Sequence, residues 1–245
     1  MTERLAATQI GLDLAWREHN PSGAVLMCER NGGYSVEEHV CLGSDDEIVA
    51  WLEGRATRGP AIVAIDAPIV APNPPGTSRA CDREVTRKFG RFHAGAFPAN
   101  RVIARRPTAL AQRLIALGWS IDPHAAARGN GRYLIEVFPH AATVGLFKLQ
   151  QIVKYKHGHV AQRRAGLARF QELLHERLPR LEPMIEPFAR EDVLVLRGRG
   201  LKHLEDRLDA LVCAALVAVY RRDSATCEVL GDVDAGYILV PRLES

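Results

Sequence analysis

The sequence predicts a mixed α/β fold: a sheet flanked by helices and interrupted, after its fourth strand, by a helical insertion. Three observations predict it. A strand, hairpin, helix and strand fill residues 8–65, strands and helices resume from residue 133, and the stretch between them is rich in Pro, Gly and Arg. With 245 residues, 47% of them hydrophobic, the chain can bury a sizeable core, and residues 1–245 are expected to form one domain with the insertion at about 69–130.

Thr8 to Ala15 is the first strand, and it holds a single carboxylate, Asp13, inside the apolar run Gly11-Leu12-Asp13-Leu14-Ala15-Trp16. An Asp taken out of water needs a partner, a cation or a proton. Gly23 to Arg30 and Tyr34 to Cys41 form a hairpin around Asn31-Gly32, a dipeptide that accepts the positive φ of a tight turn, so three antiparallel strands open the fold. Ser44 with Glu47 is a capping box that starts a helix through Trp51-Leu52-Glu53, and Gly59-Pro60 stops it. Ala61 to Ile65 is then a buried strand, parallel to the first because a helix connects them, and it ends at Asp66-Ala67-Pro68.

Residues 69–130 break this alternation with a Pro-rich entry, a basic helix at Ser78 to Arg91, a Gly/Ala/Pro loop at Gly95 to Asn100 and an Ala/Leu helix at Thr108 to Gly118. The pattern resumes with a strand at Tyr133 to Phe138, which carries Glu136. Helices follow at Ala141 to Phe147 and Val160 to Leu178, then a Pro-marked link, a helix from about Leu201 to Arg222 and an edge strand at Tyr237 to Pro241. If Leu208, Leu211, Val212, Ala215 and Val219 are the buried stripe of that last helix, the 100° step places Asp209 roughly 100° and Asp206 roughly 160° from Leu208. Both acids then lie on one flank and can face the sheet end that carries Asp13 and Asp66.

Net charge is +3, but residues 79–132 hold 11 Arg or Lys against 3 acids, so the remainder of the chain carries −5. A concentrated basic segment beside clustered acids suits a polyanionic partner. Arg79, Arg83, Arg87 and Arg91 recur every four residues and form one stripe if their segment is helical. Lys154-Tyr155-Lys156-His157 offers a second basic site, with Lys154 and Lys156 for phosphate and an aromatic for stacking. His157, His159 and His203 are too sparse for a zinc site. Five cysteines with no CxxC pair suit free thiols in a reducing compartment. The apolar run Ala210 to Tyr220 is too short to span a bilayer and Met1-Thr2-Glu3-Arg4 leads straight into a strand, so a cytoplasmic protein with no membrane partner is expected.

Six strings in this order resemble domain-of-unknown-function family 429, described as predicted RNase H-like nucleases: Gly11-Leu12-Asp13-Leu14-Ala15-Trp16, Ala64-Ile65-Asp66-Ala67-Pro68, Arg79-Ala80-Cys81-Asp82-Arg83-Glu84, Glu136-Val137-Phe138-Pro139-His140-Ala141, Asp206-Arg207-Leu208-Asp209-Ala210-Leu211, and Gly231-Asp232 with Gly236-Tyr237-Ile238. The likeness runs nearly the full length. The Asp-x-x-Asp-Ala pattern is also similar to the closing helix of RuvC-type Holliday-junction resolvases, which pair helix acids with one on the first strand and a Glu on the fourth; here the fourth-strand position is Asp66, a shorter carboxylate. The resemblance implies an RNase H-like fold and a nuclease acting on nucleic acid, DNA or RNA.

Phosphodiester cleavage needs an activated water and compensation for charge on the leaving oxygen, which two divalent ions about 3.5–4 Å apart supply. Carboxylates suit Mg²⁺ or Mn²⁺, which prefer oxygen ligands. Asp13 is the expected bridging ligand, Asp66 and Asp209 one-metal ligands, Asp206 a ligand or its support, and Glu136 a catalytic acid that holds metal through water or orients the attacking water. Two other classes compete. A nucleic-acid-binding module of the same fold gains nothing from carboxylates that repel phosphate. An actin-like phosphate-transfer enzyme also has Gly-x-Asp on its opening strand, but 245 residues leave little room for two lobes and no GxxxxGK[ST] loop is present.

Overall fold

The structure, a computed structural model, describes residues 8–243; the lead-in Met1-Thr2-Glu3-Arg4 lies outside the described residues. Strands β1 (Thr8–Asp13), β2 (Ser22–Arg30) and β3 (Gly33–Leu42) are antiparallel neighbours. The β2–β3 turn is Asn31-Gly32, with φ of 52° and 80°, as its residue types allow. Helix α1 (Asp45–Arg55) starts at Ser44: the Glu47 amide donates to the Ser44 hydroxyl and the Ser44 amide to the Glu47 carboxylate. It leads to β4 (Ala61–Ile65), parallel to β1 on the side away from β2.

Three helices stand between β4 and the next strand: α2 (Ala80–Phe89), α3 (Arg105–Ala116) and α4 (Pro123–Arg128). The six-residue α4 is not legible in the sequence, being too short to show a period. Strand β5 (Arg132–Glu136) joins β4 in parallel, and helices α5 (Pro139–Phe147) and α6 (Val160–Arg177) follow. A two-residue strand, β6 (Ile185–Glu186), then pairs in parallel with β3. The sheet order is β5-β4-β1-β2-β3-β6.

Helix α7 (Arg199–Arg222) is buried along most of its length, and the sheet meets it at backbone distance. A Cβ built on Gly11 would lie 1.7 Å from the Ala210 carbonyl oxygen, and one on Gly23 would lie 2.4 Å from the Asp206 carbonyl. Glycine at these two strand positions therefore sets how close α7 comes to β1 and β2. The same close approach places Asp206 beside Gly23, which pairs across the ladder with Asp13.

The expected edge strand at the C-terminus is a correction. Tyr237 to Pro241 belongs to β8 (Gly236–Pro241), which pairs with β7 (Cys227–Asp232) in a separate two-stranded sheet; a single bridge, Val137 to Leu239, links it to the region after β5. β7 is hidden in the sequence because Glu228, Gly231 and Asp232 break its apolar alternation. The hairpin builds a second, smaller core in which Leu230, Ile238 and Val240 meet Cys81, Val85 and Phe89 of α2 and Val144 of α5. No disulfide links the five cysteines. No helix among the described residues is long and apolar enough to cross a membrane.

Candidate active site

The site begins with strand register. Leu12 pairs with Ile65 in the parallel β1–β4 ladder, and the Asp66 amide donates to the Leu12 carbonyl at 2.9 Å. Asp13 and Asp66 therefore leave the same end of two adjacent strands. Helix α7 crosses there and contributes Asp206 and Asp209, both buried, at 2% and 0% exposure. Burial pushes the Asp13 carboxyl well up; Lys156 pulls it back, while Asp209, Asp66 and Asp206 push it further. Burial also pushes the Asp206 carboxyl up, opposed first by Lys202. Burial likewise pushes Asp66 up to about 7, again opposed by Lys156 and reinforced by Asp209. The neighbouring carboxylates thus make Asp13 and Asp66 harder to ionise.

Lysines meet that charge. Lys156 Nζ lies 2.9 Å from Asp209 Oδ2, and the Tyr155 hydroxyl donates to Asp209 Oδ1. Lys202 Nζ lies 2.6 Å from both Asp206 Oδ1 and Glu205 Oε1, and Arg163 also reaches Glu205 at 3.2 Å. The sequence reading puts Lys156 on a surface for phosphate, with Tyr155 free to stack on a base. The structure corrects both: Tyr155 is buried, its ring stacked on Phe170 at 4.4 Å between centroids, and Lys156 turns inward to the acids. Lys154 remains exposed. Lys202 has no place in the sequence reading, although its spacing of four residues to Asp206 and three to Glu205 on one helix is a readable signal. Nothing local could tie Lys156 to Asp209, far along the chain.

Glu136 pairs with Ile65 across the β4–β5 ladder, lines the same cleft as Asp66 and helps push the Asp66 carboxyl up, but it is already engaged. Arg79 donates to both its oxygens, at 2.6 and 2.8 Å, and the Ile69 amide donates to Oε2 at 3.0 Å. Burial pushes Glu136 up to about 7 against the pull of Arg79. The same guanidinium meets Asp82 at 2.7 Å and the Val70 carbonyl at 2.9 Å, and Asp82 accepts from the Ala99 amide at 2.9 Å. Here too the sequence reading is corrected. Arg79 is 3% exposed and belongs to an internal network, so it cannot belong to an exposed basic stripe, and Glu136 serves as its counter-ion. Arg83, Arg87 and Arg91 do lie exposed, Arg83 donating to the Ser78 carbonyl and Arg91 resting over the Phe92 ring at 4.6 Å.

A narrow cleft of about 60 Å³ opens beside Asp66, between Trp16, Phe97, Phe138 and the Arg79–Glu136 pair. Phe97 is 65% exposed and stands edge-on to Trp16, with ring centroids 5.9 Å apart. Among the described residues, no group of three or more His, Cys, Asp or Glu side chains is set to hold a metal ion as it stands. The donors are nevertheless of the right kind for a hard cation. All are carboxylate oxygens, Asp206 Oδ2 is buried without a hydrogen-bond partner, and two ammonium groups already stand among them as cations.

The profile of a family described as "Protein of unknown function (DUF429)" matches residues 11–233. No curated protein matches the sequence. Among solved structures, a human cytomegalovirus terminase nuclease domain, manganese-soaked and inhibitor-bound, aligns over 89% of this chain and 84% of its own at 13% identity, with a TM-score of 0.31.

Proposed function

This chain belongs to the DUF429 family and has the mixed α/β sheet flanked by helices that its sequence predicted, and on that premise we propose that it is a metal-dependent nuclease of RNase H-like type hydrolysing phosphodiester bonds in nucleic acid. One observation carries the reading: Asp13, Asp66, Asp206 and Asp209 are gathered at one end of the sheet by three separate elements, at an electrostatic cost the fold alone does not require. Asp13, Asp66 and Asp209 are the residues that would hold Mg²⁺ or Mn²⁺, with Asp206 beside them. Such an ion supplies an activated water and stabilises charge on the leaving oxygen. Phe97 and Trp16 border the approach to Asp66, and Arg83, Arg87, Arg91 and Lys154 offer exposed positive charge to the phosphates.

The test compares purified wild type with Asp13→Asn on single-stranded, duplex, hybrid and branched substrates in Mg²⁺, Mn²⁺ and Ca²⁺. Wild type should cleave at least one substrate in Mg²⁺ or Mn²⁺, and Asp13→Asn should lose about 10³-fold or more. Equal cleavage by both proteins would sink the reading. One observation favours a second reading, a catalytically weak binding module: the acids are already partly neutralised by Lys156 and Lys202. Tight binding with no cleavage on any substrate selects that alternative.

A further inference from the structure

We propose that Lys156 is a fixed cation of this site, its ammonium taking the place of one of two metal ions, so that the carboxylates take up a single divalent ion. The inference rests on the nuclease reading and names the charge arrangement within it.

Lys156 is held where it is by its neighbours. Tyr155 anchors the loop between α5 and α6 twice, through its ring on Phe170 and its hydroxyl on Asp209. The loop backbone also lies directly on α6 at Gly166, where a Cβ would come 2.2 Å from the Lys154 carbonyl oxygen and 2.7 Å from the Tyr155 Cα. A side chain at position 166 would lift the loop. Lys156 Nζ is thereby delivered to Asp209 Oδ2 at 2.9 Å, with the side chain only 27% exposed.

Lys202 differs in kind. Its side chain is 48% exposed, it divides itself between Glu205 and Asp206, and Glu205 has Arg163 as a second partner. Lys202 can swing into solvent when an ion approaches Asp206 Oδ2, the buried oxygen that has no hydrogen-bond donor. Lys156 cannot leave as easily, because Tyr155 beside it is locked. A pair of divalent ions would put four positive charges next to an ammonium that is already bound to Asp209. One divalent ion with Lys156 brings three charges to four carboxylates, leaving the site slightly negative and free of a cation-to-cation clash. The ammonium also presents N–H donors to whatever oxygen lies against it, so it is suited to positioning a phosphate oxygen as well as to balancing charge.

Mn²⁺ stoichiometry tests this on the full-length protein, by calorimetric titration with MnCl₂ and by the loss of the free-ion paramagnetic resonance signal. Wild type should bind one Mn²⁺ per chain at the carboxylates, Lys156→Met two, and Lys156→Arg one, because the arginine restores the charge. Lys156→Gln repeats the neutral case should the methionine variant fail to fold. Wild type binding two ions while still cleaving nucleic acid would overturn the inference and leave the nuclease reading standing. One ion in both wild type and the neutral variants would also overturn it, since Lys156 would then exclude nothing. Wild type binding no Mn²⁺ would overturn both.

Discussion

Asp66 shows what the gathered acids do to the protein that holds them. Its folded-state pKa is raised to about 7 by burial and by neighbouring carboxylates, against an ordinary value of 3.8. Between those values the folded chain binds more protons than the unfolded one, so stability is highest in acid and falls as pH rises through the window. In EDTA, wild type and Asp66→Asn should therefore melt at similar temperatures near pH 4. By pH 8 the variant should melt higher, by about 2–4 °C for each kcal/mol of repulsion relieved. A constant gap across the series would disprove the assignment. Arg79 predicts the opposite kind of change. Arg79→Met strands Glu136 and Asp82 without their shared cation, and breaking such a buried pair costs about 3–5 kcal/mol, measurable by urea unfolding. Asp13 and Asp66 are legible because a lone carboxylate in an apolar strand is conspicuous. Glu136 looks just like them in sequence, and only the arrival of Arg79 from 57 residues away marks it as a counter-ion.

Elements are readable as far as their periods allow. The capping box at Ser44 and the Asn31-Gly32 turn fix α1 and the β2–β3 hairpin closely, because both depend on local backbone chemistry. β6 and β7 stay hidden because two residues carry no alternation and a strand holding Gly and Asp resembles a loop. Of the four arginines spaced by four, only Arg83 and Arg87 lie within α2, Arg91 falling in the turn after it, and the spacing cannot tell which arginine turns inward. Arg79 sits at the N-cap of α2 and is buried, while Arg83 and Arg87 follow on the open side. If that open side meets phosphate, Arg83→Ala with Arg87→Ala should reduce the slope of log affinity against log salt by about one for each phosphate no longer neutralised. An unchanged slope would mean that the stripe is merely solvated.

For the whole molecule, the second core decides how α2 relates to the sheet, while α3 and α4 pack into the main core. α2 is anchored through Cys81, Val85 and Phe89 onto the β7–β8 hairpin and α5, so residues from the middle and the end of the chain stabilise one another. Ile238→Ala should cost about 2–5 kcal/mol, as is usual for a buried Ile cut back to Ala. Hydrogen exchange should show the loss first in α2 and the hairpin together, with β1, β2 and β3 still protected; uniform loss would mean a single cooperative core. The sequence cannot reveal this pairing, since α2 and β8 lie far apart along the chain and neither half looks incomplete alone.

Trp16 gives the cleft beside Asp66 its own optical signal. Of the three tryptophans, Trp51 and Trp119 are buried and donate their indole N–H to Glu38 and Glu53, at 3.0 and 2.6 Å. Trp16 alone borders the cleft, edge-on to the exposed Phe97. A base sliding between those rings, or a paramagnetic ion seated by Asp66, will quench its emission and leave the other two untouched. Unlabelled wild-type protein can therefore report, through the fluorescence of one indole, when its cleft is filled.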